Sequence, residues 1–350
     1  MKNMAFGGSG IVRAGSLLAL GMVLAGAENL RANPAQDSQE ETPITLKINR
    51  QIQPTDYKPG SLKTHLLPVN TANGAKAREL RKTGVPTPTS RNGNGGQGAV
   101  SFYPADVSYQ GGVVLQATES HAVYVNCTSN CFGHPTKFLR NLEKSDFIHI
   151  TDQYVGTNAN NRYTVGQSGL ISYPVSGPLG PSDIINLVYA SASAFGSGYG
   201  EVHHIFFAPG IDVCEDTGLT ICYSPDNLAT WYFCAFHGSI DFTDIGHVLF
   251  SVEPYQNVNG CAVGQPSPNG AEVDSQASVL SHEMIETITD PDGTAWWNTV
   301  SLDLFGDEIA DECQNLTFVY QTPWINGTQY EIQPLYSNAV HACTYQPSRE

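Results

Sequence analysis

The sequence predicts an α+β domain: a mixed sheet carrying one motif-bearing helix, cross-linked by disulfides. Three observations predict it. Short β-branched and aromatic runs, bounded by Gly, Ser and Asn, are interspersed with few helical stretches. The stretch from Val273 to Thr289 repeats its apolar residues at helical spacing and must stop before Pro291. Eight cysteines, none in C-x-x-C spacing, suit up to four disulfides rather than a cysteine-bound metal.

Taken in order, Met1 to Ala27 reads as a secretory signal. Lys2 and Arg13 precede the apolar run Leu17 to Leu24, and Ala25-Gly26-Ala27 offers small residues for cleavage. Residues 28–99 are rich in Pro, Asn, Gly, Thr and Gln and end in Arg91-Asn-Gly-Asn-Gly-Gly-Gln-Gly98. They are expected to be a basic low-complexity leader, propeptide or linker without a compact fold. Residues 100–350 are the expected folded domain. Strands are expected at 99–103, 112–116, 121–125, 147–151, 201–208, 231–236 and 247–252, and in the tail at 316–320 and 330–335. Helices are expected at 137–142 and 181–194, the latter with a Ser182/Asp183 start signal. The helix of residues 273–289 follows, opened by Asp274 as N-cap, and Asp290-Pro-Asp-Gly293 is a turn. Cys127 and Cys131 are expected to pair locally.

The chemistry concentrates on Ser281-His-Glu-Met-Ile-Glu286. On a 3.6-residue helix Val273, Ala277, Leu280, Met284 and Ile288 share one face, while His282 and Glu286 stack one turn apart on the opposite face, toward a cleft. The zinc-peptidase pattern H-E-x-x-H places two ligands at i and i+4 with a general-base Glu between them. Here the second ligand position is Glu286, and carboxylate oxygen is an accepted zinc ligand. A third ligand is expected from Gly306-Asp-Glu-Ile-Ala-Asp-Glu-Cys313: Glu308 first, with Asp311 orienting His282 or replacing Glu308. The fold expectation is therefore zincin-like. Glu283 is the expected general base, with His237 as a donor to a substrate oxyanion. Calcium is the alternative ion, on Asp290, Asp292, Asp307 and Glu308.

Charge excludes some partners. Residues 28–100 hold ten Lys/Arg to six Asp/Glu, whereas residues 101–350 hold five to twenty-seven. Between Arg162 and Arg349 there is no Lys or Arg and there are twenty-one carboxylates, eleven of them from Glu272 to Glu312. Such a surface repels nucleic acid and anionic membrane. Crowded carboxylates without cationic side chains need protons, water or a divalent cation. His203 and His204 are adjacent on a strand and point to opposite faces, so both cannot line one site.

The stretch from Ser278 to Pro291, then Ala295-Trp296, then Glu308-Ile-Ala-Asp-Glu-Cys313, resembles the phosphate-induced/EXORDIUM family. That family carries H-E-x-x-E followed by Thr-Asn-Pro or Thr-Asp-Pro, an Ala-Trp pair, and Glu-Ile-Ala-Asp-x-Cys. Weaker likeness extends to Gly111-Gly-Val-Val, Asp212-Val-Cys214 and Cys234-Ala-Phe-His237, so that it spans roughly residues 100–345. The resemblance implies a secreted protein of the apoplast or cell wall, and implies no established reaction. This chain departs from the plant pattern at Asp290, in its acidic 290–307 stretch and in its long basic leader. Together these readings lead to a secreted zinc-dependent hydrolase acting on a peptide or wall-associated bond. The alternative is a non-enzymatic extracellular binding or signalling protein with a structural metal site.

Overall fold

The computed structural model describes residues 42–69, 106–264, 266–298, 308–314 and 321–348. Every described residue lies in one compact unit of the chain. The expected signal segment, residues 70–99, the 99–103 strand and the 316–320 strand lie outside the described residues.

An eight-stranded mixed sheet organises this unit. Its strands are β1 (Ile44–Thr45), β2 (Lys63–Pro68), β3 (Thr118–Val125), β4 (Tyr163–Val165), β5 (Gly169–Ile171), β6 (Glu201–Phe207), β7 (Phe233–Phe242) and β8 (Gly246–Glu253). The order is β1-β5-β3-β6-β8-β7-β2, with β4 also pairing on β3. Pairing is parallel from β1 to β8, while β8-β7 and β7-β2 are antiparallel. The buried strands are near-continuous apolar runs, as expected where both faces are covered. Helix α2 (Pro181–Phe195) covers one face, packing Ile184, Leu187 and Val188 on Val123, Ile205 and Val248. Helices α1 (Pro135–Glu143) and α3 (Ala271–Thr289) cover the other, where Phe138, Leu280, Met284 and Ile288 meet Ala122, Tyr124 and Phe206. The expected mixed α and β composition and mixed sheet are present. Four disulfides form: Cys127–Cys131, Cys214–Cys222, Cys234–Cys261 and Cys313–Cys343.

Several local expectations are corrected. Residues 42–69, expected within the leader, supply β1 and β2 and bury Leu46, Ile52, Leu66 and Leu67. Polar composition hid a short strand, Lys-Thr-His-Leu-Leu-Pro, set between Gly60 and Val69. Arg50 and Lys58, part of the basic balance, pair with Asp244 and Asp241 of the acidic domain. Residues 147–151 form a 3₁₀ helix, Asp146–Thr151, because Thr151 and Ser145 close local side-chain bonds to carbonyls three residues back. Residues 112–116 are a loop, anchored by Gly112 N–H donating to Thr294 and Leu115 N–H to Ile288. Helix α3 starts three residues before Asp274. Gly270, at φ 93, takes the N-cap position, and Asp274 accepts from Asn269 N–H from inside the first turn.

Candidate metal centre

The register of the sheet lays a polar row beneath α3. His65 of β2 faces His237 of β7, His237 faces Ser251 of β8, and Ser251 faces His204 of β6. Cross-strand partners lie close enough for rings to touch, and His65 and His237 stack at 4.9 Å with planes 16° apart. Two glycines permit this. A Cβ on Gly238 would lie 2.0 Å from the Lys63 carbonyl oxygen, so only glycine lets β2 close on β7. Gly293, at φ +66, brings the turn after α3 against the His65 ring, where a Cβ would lie 2.1 Å from Cε1.

Helix α3 is buried from Asp274 to Thr289, so among the described residues His282 and Glu286 open on no cleft. The apolar face is as expected: Ala277, Leu280, Met284 and Ile288 are core, with Val273 packed beside them. Buried hydroxyls are satisfied within the helix, Thr287 donating to the Glu283 carbonyl and Thr289 to that of Ile285. The helix ends at Thr289, before Pro291, and Asp290 Oδ1 accepts the N–H groups of Thr294 and Ala295 to form the turn.

The polar face meets β7, β2 and the segment 308–314. His282 Nε2 lies 3.0 Å from Glu286 Oε2 and 3.5 Å from Asp311 Oδ1. The ligand atoms of the three residues lie within 4.8 Å of one another. Glu286 Oε1 accepts the Asp311 N–H at 2.9 Å, which fixes both carboxylates. His237 Nδ1 lies 3.3 Å from Glu283 Oε2 and 3.8 Å from Glu286 Oε2, and its Nε2 lies 3.7 Å from Glu308 Oε1. His65 Nδ1 lies 3.4 Å from Glu308 Oε2. Three groups could therefore hold a metal ion: His282/Glu286/Asp311, His237/Glu283/Glu286 and His65/His237/Glu308.

The expected residues thus gather, with one exchange. Asp311, not Glu308, completes the group of His282 and Glu286, while Glu308 turns to His65 and His237. His237 is in a strand, aimed at carboxylates. The set Asp290, Asp292 and Glu308 does not converge: Asp290 caps its own turn, Asp292 takes Tyr199 and His247, and Asp307 lies outside the described residues. His65 was missed because its segment read as a leader. The signal available was the β-type run around it. His203 and His204 do face opposite sides, bonded to Ser191 and Ser251, and burial pushes both down to about 3, so both are neutral structural residues.

Electrostatics favour a cation at the first group. Burial alone would lower the His282 pKa, but Glu286 and Asp311 outweigh it and hold it well above the usual range. The field that favours a proton there favours any positive ion. Burial pushes the Glu283 carboxyl well up, with Glu253, Glu286 and Asp311 adding to the rise against the pull of His282. Behind the helix, burial also raises Glu253 to about 8, although Ser251 donates to it at 2.9 Å. Neither His282 Nδ1 nor Glu283 Oε1 has a hydrogen-bond partner among the described residues. Buried polar atoms are rarely left so.

A fourth group, Glu119/His121/Glu201, lies apart, at the other end of β3 and β6. Among the described residues no helix is long and apolar enough to cross a membrane. Comparisons with protein-family models, curated proteins and solved structures return no match.

Proposed function

We propose that the protein is a secreted zinc-dependent hydrolase of zincin-like type, most simply a peptidase. The observation that carries this reading is the gathering of His282, Glu286 and Asp311, whose ligand atoms lie within 4.8 Å of one another, with Glu286 Oε2 and Asp311 Oδ1 at 3.0 and 3.5 Å from His282 Nε2. Tetrahedral zinc with bonds of about 2.0–2.1 Å needs donors about 3.3 Å apart. Mixed imidazole and carboxylate donors suit zinc better than calcium, which takes oxygen alone. Four disulfides fit an oxidising, extracellular compartment. The motif residues from Ser278 to Pro291, Ala295-Trp296 and Glu308 to Cys313 support kinship with the phosphate-induced/EXORDIUM family.

Zinc, when bound, supplies the Lewis acidity that makes a water nucleophilic at neutral pH. Glu283 would be the group to accept that water's proton, at Oε1, the oxygen with no partner among the described residues. His237, 3.3 Å from Oε2, orients the carboxylate, a positioning role in place of the expected oxyanion donor. Among the described residues strand β2 ends the sheet beside this site. An extended peptide can add to such an edge through main-chain hydrogen bonds, which favours a peptide substrate. The test pairs metal analysis of the secreted protein with Glu283→Gln. That variant keeps its zinc and loses 10²–10⁴-fold in peptide hydrolysis, on the order expected for general-base removal; undiminished hydrolysis contradicts the mechanism.

One observation favours a second reading. His282, Glu286 and Asp311 are fully enclosed, as in a closed structural site. In that reading the protein is a non-enzymatic extracellular binding or signalling protein, and zinc removal unfolds it without any hydrolysis having been present.

A further inference from the structure

We propose that the cluster takes two divalent cations side by side, the second held by His65, His237 and Glu308. The inference rests on the reading of His282, Glu286 and Asp311 as the first zinc site and extends it.

Donor supply is the first argument. A zinc ion with an open position uses three protein ligands, yet seven donors converge here: His65, His237, His282, Glu283, Glu286, Glu308 and Asp311. Six of them form two groups with no shared residue, each with imidazole and carboxylate, and Glu283 joins His237 and Glu286 in a third group that overlaps both. The groups adjoin. Glu286 Oε2, 3.0 Å from His282 Nε2, is also 3.8 Å from His237 Nδ1, the ring whose other nitrogen faces Glu308 at 3.7 Å.

A buried acceptor is the second argument. Glu283 Oε1 is enclosed and has no hydrogen-bond partner among the described residues, and buried polar atoms are rarely left so. Access is the third. His65, on the edge strand, keeps 22% of its side chain exposed, while the other members are closed off, so the second group is the one nearer solvent.

The experiment measures zinc per chain in the full-length secreted protein, equilibrated with zinc and dialysed, for wild type, His65→Gln, Glu308→Gln, His282→Gln and His121→Gln. Far-UV circular dichroism and thermal melts confirm folding of each, and Glu308→Gln serves if His65→Gln does not fold. The proposal expects two zinc ions in wild type and in His121→Gln, and one in His65→Gln or Glu308→Gln. One ion in wild type, kept in His65→Gln and lost in His282→Gln, overturns the second site and leaves the first standing. Two ions in wild type with the second lost only in His121→Gln also overturns it, placing that ion at Glu119/His121/Glu201. No zinc at all removes both readings, the imidazoles then carrying protons in its place.

Discussion

Glu283 and Glu286 are three residues apart on one helix, yet their surroundings assign them different work. Glu286 is clamped, with one oxygen on the Asp311 N–H and the other beside His282. Glu283 leans on His237 and keeps one oxygen unbonded among the described residues. Glu286→Gln should therefore release zinc, whereas Glu283→Gln should retain it. Equal zinc contents in the two variants would contradict the assignment. Gly293 is a second residue-scale test. Alanine there meets both a left-handed backbone and the His65 ring at 2.1 Å. Gly293→Ala should cost about 1–3 kcal/mol, read as a lower denaturation midpoint with an unchanged m-value. A variant as stable as wild type would show that the turn does not press on His65.

At the scale of elements, β2 and the turn 290–293 decide whether the site is complete. The turn is held by His247, whose Nε2 lies 3.2 Å from Asp292 Oδ1 and whose Nδ1 lies 2.7 Å from Asp241 Oδ1. Burial alone would lower the His247 pKa, but the two carboxylates outweigh it and raise it. Asp292, despite burial, is held down at about 2 by His247, Ser239 and Tyr199. A raised histidine contributes stability that is complete below its unfolded pKa and lost as pH rises through the folded value. A depressed aspartate contributes above its unfolded pKa and loses it as pH falls toward about 2. The pair is therefore worth most between about pH 4 and 6.5, by about 1–2 kcal/mol. His247→Gln should flatten the fall in Tm from pH 6 to 9, and an unchanged slope would contradict the latch. The same elements show what the sequence disclosed. Helix α3 was legible because its apolar residues keep one period from Ala277 to Ile288, and β6 and β8 because their runs combine β-branched, aromatic and other apolar residues. Strand β2 was not, because an edge strand with one buried side needs few apolar residues, and its composition matched the polar segment around it.

Across the whole molecule, residues far apart in sequence meet at one place. His65, His237, His282 and Asp311 come from two strands, a helix and a single helical turn. Motif spacing could supply the helical members but could not choose between Glu308 and Asp311. That choice depends on the turn beginning at Asp311, which aims the Asp311 N–H at Glu286 and sends Glu308 toward β2. Cys313–Cys343 and Cys234–Cys261 tie the carriers of Asp311 and His237 to neighbouring segments. With zinc held as proposed, chelation should destabilise the whole unit. At zinc levels about 1,000 times Kd the loss is about 4 kcal/mol, seen as a fall in Tm on adding a chelator and its recovery with zinc. An unmoved Tm would mean that the cluster is stable on protons alone. The most direct test is an anomalous-scattering map at the zinc edge from crystals of the secreted protein grown with zinc. The account predicts a peak about 2.0–2.2 Å from His282 Nε2, Glu286 Oε2 and Asp311 Oδ1. A map with no peak among those three atoms would contradict it.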